Sequence, residues 1–235
     1  MTSIIASTPR ALMNSEFDNR VVEVTDDGSA TIFLPELDEH YHSVKGALTE
    51  SCHIYRDCAF VHRSGDGQRL RLMEVGFGTG LNAVVTAMAA DQKHQADYFT
   101  LEKYPVSSEM VEALGYGVHT DQSLLTAIHA APWNELTPIT PAFSINKIKC
   151  DFTVDALPQN VDVVYFDAFA PEKQPEMWSP EIFARVYEAM NSGGVLTTYC
   201  AKGVIRRQLE DVGFVVERLA GPVGGKREIL RATKR

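Results

Sequence analysis

Glycines and acidic residues recur in the middle of the sequence at the spacing of a nucleoside-binding site. Gly76, Gly78 and Gly80 follow an apolar run in EVGFGTGLN, and Glu102 ends the next apolar run, in TLEKYP. Glycines let the backbone turn tightly and approach a ligand, and a carboxylate about 20 residues further on can bind both hydroxyls of a ribose. Each signal alone also fits a tight turn or a solvated strand end.

Two further acidic residues close apolar runs. Asp151 in KCDFT could accept a hydrogen bond from an adenine amino group, with Phe152 against the ring, or it could close an Asx turn. Asp167 ends the run VDVVYFD. Four such strand ends in succession predict a site for an adenosine joined to an amino acid, which is S-adenosylmethionine. The GxGxG spacing and the preceding Glu74, which suits an amino-acid cation, argue against a dinucleotide.

The stretch FDAFAPEKQPEMW can neither continue a strand nor start a helix cleanly. We interpret it as a loop that holds a nucleophilic amine. Asp167 could accept one hydrogen bond from the amine, and a backbone carbonyl near Ala170, held rigidly by Pro171, could accept another. Phe169 and Trp178 could stack on a flat base, or they could anchor the loop in the core. Because an unperturbed aspartate titrates at about 3.9, we expect Asp167 to orient the amine rather than act as a strong base.

The elements that position these residues alternate between strand and helix. From about residue 70 this order predicts an α/β fold, in which a mostly parallel sheet has helices on both faces and ligands bind beyond the carboxyl ends of the strands. The earlier run VVEVTDDGSATIFL predicts two short strands around an Asp-Gly turn. We therefore predict an N-terminal β/α extension, residues 1–68, packed on a Rossmann-like domain, residues 69–235.

Composition and charge limit the class of protein. The chain has 235 residues and a net charge of −9, which argues against a general nucleic-acid coat protein. Residues 202–235 nevertheless carry nine Lys or Arg and four Asp or Glu, and this basic segment could hold phosphates or be a solvated surface. The sequence shows neither a membrane-spanning run nor a signal peptide, so we expect a cytoplasmic protein. Four cysteines without a CxxC pair predict reduced thiols and no bound metal.

Several longer segments carry a family resemblance. The sequence contains, in order, DEHYHSVKGALTESCHIY, EVGFGTGLN, LEKYP, FDAFAPEKQPEMWSPEIF, TYCAKGVIRRQLEDVGF and GGKREIL. Together they resemble the methyltransferase half of the bacterial MnmC family, over a span from about Phe17 to Thr233. The resemblance implies a Rossmann-like class I methyltransferase fold with S-adenosylmethionine as methyl donor. The implied acceptor is the primary amine of 5-aminomethyl-2-thiouridine at the tRNA wobble position.

The residue patterns and the resemblance together predict three groups of site residues. Those expected to hold the donor are Glu74, Gly76, Phe77, Gly78, Thr79, Gly80, Asn82, Glu102, Lys103, Asp151, Phe152 and Asp167. Those expected at the reacting amine are Asp167, Phe169 and Pro171. Those expected to contact the tRNA anticodon loop are Trp178, Lys202, Arg206, Arg207, Lys226 and Arg227. The segment with His40, His42 and Glu50 could fold over the site or could be an ordinary surface.

The flavin-dependent oxidase half of MnmC has no counterpart in these residues. The resemblance is therefore to a stand-alone, MnmD-like form, for which we expect no FAD. A separate oxidase or another wobble-uridine modification enzyme would then supply the aminomethyl substrate.

Two other interpretations are open. An aminopropyltransferase resembling spermidine synthase would also use strand-end acids and an aspartate that orients an amine. It would not need the basic C-terminal segment or the aromatic-proline loop. A non-catalytic tRNA-binding protein of the same fold is expected to have a damaged donor site, whereas Gly76, Glu102, Asp151 and Asp167 are intact in type.

Overall fold

The structure, a computed structural model, describes residues 19–235. Its strands are β1 (Val21–Val24), β2 (Ala30–Leu34), β3 (Glu39–His40), β4 (Arg69–Val75), β5 (Gln95–Glu102), β6 (Thr137–Thr140), β7 (Phe143–Lys149), β8 (Val161–Phe166), β9 (Met190–Thr198), β10 (Phe214–Ala220) and β11 (Glu228–Lys234). Its α-helices are α1 (Ala47–Glu50), α2 (Leu81–Ala89), α3 (Ser108–Leu114), α4 (Gln122–Ala130), α5 (Pro180–Ala189) and α6 (Gly203–Val212). A π-helix (Ser51–Val61) continues α1, and short 3₁₀ helices occupy Tyr116–Val118 and Pro175–Trp178. The predicted alternation of strand and helix is confirmed.

An eight-stranded sheet forms the centre of the molecule, in the order β10-β11-β9-β8-β4-β5-β7-β6. Strands β7, β5, β4, β8 and β9 run parallel, and antiparallel pairs occur at both edges. The predicted mostly parallel sheet is confirmed. The chain proceeds outward from β4 through β5 to β7 and then returns to β8 and β9 on the other side of β4. Ligands of such sheets bind at this reversal, beyond the carboxyl ends of the strands.

Each face of the sheet carries its own apolar core. Strand β8 is buried along its whole length, as expected for a central parallel strand covered on both sides. One core includes Val84 of α2 and Ile128 of α4, and the other includes Phe183 of α5 and Leu209 of α6. The predicted placement of helices on both faces is confirmed, so the carboxyl edge of the sheet is left for the site.

The N-terminal elements pack against one face of this sheet. Strands β1 and β2 pair around the turn at Gly28, whose φ is 81°, and β3 completes a three-stranded sheet, so the two predicted strands are confirmed. Ile32 of β2 and Phe60 of the π-helix lie in the same core as Tyr98 of β5. The N-terminal elements therefore share a core with the main sheet, and the division at residue 68 stays a prediction.

Helix caps fix where the elements near the site begin. Ser179 accepts a hydrogen bond from the backbone N–H of Ile182, and Pro180 takes the first position of α5, as its fixed φ favours. A serine followed by a proline predicts a helix start from the sequence alone, and the structure confirms it here. Among residues 19–235, no helix has the length and apolarity that crossing a bilayer requires. The same residues contain no group of three or more metal-binding side chains.

Candidate active site

Two adjoining cavities lie at the carboxyl edge of the sheet. The first, of about 310 Å³, is lined by the turn between β4 and α2 and by residues that follow β5, β7 and β8; we call it the glycine-loop cavity. The second, of about 610 Å³, is lined by residues from both ends of the described chain, including Lys202 and Lys226; we call it the lysine cavity. The two share Tyr41, His42, Asp167, Ala168 and Phe169. These shared residues form the junction at which groups from the two cavities could meet.

The glycine loop, Gly76 to Gly80, has positive φ angles at its three glycines, a conformation that glycine adopts most readily. The φ angles of Gly76 and Gly78 are 89° and 50°. A Cβ on Gly76 would lie 3.3 Å from the Asp167 carbonyl oxygen, and one on Gly78 would lie 3.0 Å from the Tyr41 ring. The loop thus passes directly beside the junction of the two cavities, where a side chain would strain the backbone.

Two strand-end carboxylates face the glycine-loop cavity, each held in place by its neighbours. Glu102 accepts hydrogen bonds from the backbone N–H of Gly78 at 3.0 Å and of Tyr104 at 2.7 Å. Asp151 accepts one from Lys103 Nζ at 2.8 Å and one from the backbone N–H of Thr153 at 2.9 Å. The Lys103 ammonium holds the pKa of Asp151 below its usual range, at about 2. Asp151 therefore both closes an Asx turn and lines the cavity.

Most of the residues predicted to hold the donor line the glycine-loop cavity, and two do not. Those that do are Gly76, Phe77, Gly78, Thr79, Asn82, Glu102, Lys103, Asp151, Phe152 and Asp167. Gly80 instead caps α2. The Glu74 side chain is sealed in the core below the loop, and neither carboxyl oxygen has a hydrogen-bond donor among residues 19–235. Burial raises the pKa of Glu74 to about 8, so the structure contradicts the prediction of a charged Glu74 beside an amino-acid cation.

Asp167 follows β8 and lies at the junction of the two cavities. Tyr55 donates its hydroxyl to Asp167 Oδ1 at 2.5 Å, and Asn82 donates its side-chain amide to Oδ2 at 2.8 Å. Desolvation in this enclosed position raises the pKa of Asp167 to about 7, although the two hydrogen bonds oppose the shift. The sequence does not show how much protein surrounds this partly exposed carboxylate, and its predicted role of orienting the amine stays a prediction. Near neutral pH this carboxylate can take up a proton.

The aromatic-proline loop is held by contacts inside itself. Phe169 and Pro171 line the lysine cavity, and the Phe169 ring meets that of Tyr41 edge-on at 5.1 Å. Trp178 is only 3% exposed and donates its indole N–H to the Phe169 carbonyl at 2.7 Å, so it anchors the loop instead of stacking on a base. The Ala170 carbonyl already accepts two hydrogen bonds, from the backbone N–H groups of residues 173 and 174. The Ala170 carbonyl itself is thus already engaged, and the contact of an amine with a backbone carbonyl near Ala170 stays a prediction.

The predicted basic residues divide into two sets. Lys226 donates to Glu50 Oε1 at 2.8 Å within the lysine cavity and lies 4.0 Å from the centre of the Tyr199 ring. Its ammonium is therefore held beside the buried Glu50 carboxylate while the side chain stays 39% exposed, and its contact with a tRNA phosphate stays a prediction. Lys202 also lines this cavity and forms an ion pair with Glu172.

The other set consists of three arginines outside both cavities. Arg206 forms an ion pair with Glu210 at 2.6 Å on α6. Arg207 and Arg227 are exposed, and within residues 19–235 neither forms an ion pair. They are the two predicted phosphate contacts whose charge is available to a partner.

Several residues at the junction escaped the sequence analysis or had no assigned role. His42 is buried and shares a hydrogen bond of 2.7 Å with Thr79 Oγ1, and burial lowers the pKa of His42 to about 4. Glu50 accepts from the backbone N–H of Ser43 at 2.8 Å and so holds the His42 segment against the site. Tyr55 and Tyr199 lie in a helical and a strand-like run, where the pattern of the sequence indicates only core. Their contacts depend on tertiary structure, which no local signal reveals.

Comparison with known proteins agrees with this architecture. Residues 142–235 match the model of a family described as S-adenosyl-L-methionine-dependent methyltransferase. The crystal structure of MNMC2 from Aquifex aeolicus superposes with a TM-score of 0.71 and 23% identity, covering 94% of this chain and 72% of that one. Spermidine synthase from Thermotoga maritima superposes with a TM-score of 0.55 and 13% identity, covering 93% and 70%, which shows a shared fold. This chain is therefore similar, in its fold and in residues 142–235, to the class of α/β methyltransferases that depend on S-adenosylmethionine.

The sequence relatives narrow this class. The "tRNA 5-methylaminomethyl-2-thiouridine biosynthesis bifunctional protein MnmC" of Cupriavidus necator is 31% identical over 217 residues, which are 86% of this chain and 33% of that protein. The protein of the same description from Pseudoalteromonas atlantica is 36% identical over 181 residues, 68% of this chain and 25% of that protein. The chain is thus a homologue of part of MnmC and spans a quarter to a third of the length of these relatives. The resemblance predicted from the sequence is confirmed.

Proposed function

We propose that this chain transfers a methyl group from S-adenosylmethionine to the primary amine of 5-aminomethyl-2-thiouridine at the wobble position of tRNA. The observation that carries the proposal is Asp167, an enclosed carboxylate at the junction of two cavities. One cavity has the glycine loop and strand-end acids of a donor site, and the other is open to an acceptor. The description of the MnmC relatives supports the choice of acceptor.

The glycine-loop cavity suits the donor. S-adenosylmethionine, when bound, supplies an electrophilic methyl group on a positively charged sulfur. Glu102 keeps acceptor capacity on both oxygens for ribose hydroxyls, since each already holds only one backbone N–H. Phe152 lines the same cavity beside Asp151 and offers a ring face to an adenine. Asp167 closes the cavity on the side of the acceptor.

The lysine cavity suits an amine. Its lining includes four acidic residues, Glu39, Glu50, Asp167 and Glu228, against two lysines. One of those lysines, Lys226, is paired with Glu50, and the other, Lys202, is paired with Glu172. Glu228 is itself paired with Arg218, so Glu39 and Asp167 carry the negative charge that favours the entry of a cationic aminomethyl group. Phe169 offers an aromatic surface beside it for the base.

Asp167 has two tasks in the proposed reaction. A primary alkylamine is an ammonium ion near neutral pH, and it must lose a proton before its lone pair can attack. The Asp167 carboxylate accepts that proton or a hydrogen bond from the neutral amine, and so aims the lone pair at the methyl carbon. The nitrogen then forms a bond to the methyl carbon as the carbon–sulfur bond breaks. The bonding pair stays on sulfur, the product leaves as a secondary ammonium ion, and the proton that Asp167 accepted is released to water.

The tRNA would be held by exposed charge at the same edge of the sheet. Arg207 lies in the first half of α6, which follows β9, and Arg227 precedes β11, which is antiparallel to β9. Both arginines are therefore on the carboxyl side of β9, beside the lysine cavity. We assign them to anticodon-loop phosphates, and with tRNA as substrate we place the reaction in the cytoplasm.

A methyl-transfer assay with labelled S-adenosylmethionine tests the proposal. The acceptor is tRNA from cells that lack this enzyme, digested to nucleosides after the reaction. The expected result is label in 5-methylaminomethyl-2-thiouridine. Label in free polyamines but not in tRNA would support the aminopropyltransferase-like alternative, and binding of tRNA without any label would support a non-catalytic protein.

A further inference from the structure

We infer that Tyr55 is a positioning residue that holds the Asp167 carboxylate ionised and turned toward the acceptor amine. This inference rests on the proposed function, because it concerns how Asp167 acts in methyl transfer. Tyr55 lies in the π-helix, 112 residues before Asp167, and no sequence motif connects the two.

Tyr55 acts from behind the site. Its side chain is 1% exposed, and it lines neither the glycine-loop cavity nor the lysine cavity. Its ring packs against that of Tyr165 at 5.2 Å, and its hydroxyl reaches Asp167 Oδ1 at 2.5 Å. Removing this hydroxyl therefore affects methyl transfer only through its contact with the Asp167 carboxylate.

The two donors together fix the carboxylate. Tyr55 occupies one lone pair of Oδ1, and Asn82 occupies one lone pair of Oδ2, so the group cannot rotate without losing a hydrogen bond. The Tyr55 pKa is raised well above its usual value by burial and by the Asp167 charge, so its hydroxyl remains protonated and a donor at every working pH. A charged carboxylate in an enclosed position needs such donors, because leaving it without them favours the neutral acid.

Other charged and titratable groups also face Asp167. Glu50 and Lys226 act from the lysine cavity with opposite signs. Glu74 and Tyr98 act from below the glycine loop, and Tyr199 acts from the end of β9. None of these changes when the Tyr55 hydroxyl is removed. The direction of the effect of that removal is therefore set by the missing hydrogen bond to the ionised form.

The test is the pH dependence of kcat/KM for Tyr55→Phe, measured with the tRNA assay from about pH 5.5 to 9. The acidic limb of the profile should move to higher pH by about one unit, because the ionised form of Asp167 no longer has this donor. Activity at pH 6 should fall about tenfold, with a much smaller decrease at pH 9 and unchanged S-adenosylmethionine binding. Tyr165→Phe is the matched control: it removes a neighbouring buried hydroxyl that contacts Thr86 and not Asp167, and its limb should stay in place.

A second substitution reverses the sign of the effect. Replacing Tyr55 with 3-fluorotyrosine keeps the ring and makes the hydroxyl a stronger donor, so the limb should move to lower pH. This variant also keeps the test available if removal of the hydroxyl in Tyr55→Phe lowers the thermal midpoint below the assay temperature. A limb that stays at the wild-type pH in both folded variants would overturn the inference.

An NMR titration of ¹³C-labelled Asp167 separates the inference from the proposed function. The measurement follows the carboxyl carbon in the wild-type chain and in Tyr55→Phe, and it needs no turnover. A higher midpoint in Tyr55→Phe supports the inference even if the wild-type chain methylates no tRNA, in which case the proposed function fails alone. Equal midpoints overturn the inference while leaving an active wild-type enzyme unaffected.

Discussion

Among individual residues, Asp167 has the properties that the proposed chemistry needs. It lies at the junction of two cavities, its two oxygens each receive one donor, and its pKa is about 7. An ordinary aspartate would be fully ionised at neutral pH and too weak a base to compete for an ammonium proton. The surrounding protein brings the pKa of Asp167 closer to neutral pH, where a general base is most effective, and active sites commonly shift the pKa of a carboxylate in this way.

Asp167→Asn tests this residue directly. An amide cannot accept the ammonium proton, so we expect turnover to fall by about 10²-fold or more, while S-adenosylmethionine still binds. Single-turnover methylation and equilibrium binding of the donor give the two readouts. Asp97→Asn, in the half of β5 away from the site and paired with Arg69, is the control and should retain activity. Full turnover by Asp167→Asn would remove Asp167 from the mechanism.

The strand-end residues could be predicted from the sequence, and their partners could not. Glu102, Asp151 and Asp167 were found because an acid directly after an apolar run identifies the carboxyl end of a strand, where ligands bind. Tyr55 and Glu50 contribute through contacts over more than a hundred residues, which depend on how the helix after β3 packs on the sheet. The pKa of Asp167 follows from its burial, so it too becomes visible only with the fold.

Among the elements, the end of β4 combines a ligand loop with a buried acid. Glu74 is enclosed next to Thr100, Asn82 and Tyr98, and its pKa of about 8 means that folding keeps it protonated where the unfolded chain would ionise. Because the Glu74 pKa is higher in the folded chain than in the unfolded chain, its contribution to stability is complete below about pH 4.5 and is lost as the pH rises toward 8. We therefore expect Glu74, near the end of β4, to make the fold less stable in mildly alkaline solution than in acidic solution.

Glu74→Gln should remove this dependence. Between about pH 5 and 8, this group lowers the free energy of unfolding of the wild-type chain by up to about 1.4 kcal/mol for each pH unit. The glutamine variant has no proton to lose at this position, so its free energy of unfolding lacks this decrease. The thermal midpoint of the variant relative to wild type should therefore increase between pH 5 and 8, measured by differential scanning fluorimetry. Glu188→Gln, at an exposed position of α5, is the control. Parallel pH curves for Glu74→Gln and wild type would contradict a protonated Glu74.

The elements themselves were easier to predict than their details. The apolar runs predict the parallel strands, and Ser179 followed by Pro180 predicts the start of α5. Both signals depend only on neighbouring residues in the sequence. The π-helical form of Ser51–Val61 has no comparable signal, since its apolar pattern also fits an α-helix. Trp178 could stack on a base or anchor its loop, and its burial, its hydrogen bond to the Phe169 carbonyl and its packing against Phe166 at 5.0 Å together decide for the anchor.

Across the whole molecule, charge is arranged with basic residues beside the open cavity. The net charge is −9, yet Arg207 and Arg227 are exposed on the carboxyl side of β9. An acidic body with a small basic area admits a polyanion in few orientations. Under the proposed function, the orientation that brings tRNA phosphates to these arginines is the one that presents the anticodon loop to the lysine cavity.

The double variant Arg207→Ala with Arg227→Ala tests this arrangement. Binding of tRNA should weaken, and the slope of log K against log salt concentration should become shallower by about 0.7 for each phosphate that the variant no longer neutralises. Fluorescence anisotropy with labelled tRNA over a range of salt concentrations gives the slope. Lys93→Ala, at the opposite edge of the sheet before β5, should leave it unchanged. Equal slopes for the double variant and wild type would place the tRNA elsewhere.

The ion pair between Glu50 and Lys226 has a consequence for protein synthesis. The pair joins residues 176 positions apart, and β11, which follows Lys226, enters the sheet between β9 and β10. A nascent chain on the ribosome can form the glycine loop and β4 long before Lys226 leaves the exit tunnel. The lysine cavity, whose lining extends to Glu228, is therefore completed after the glycine-loop cavity, whose lining ends at Met177.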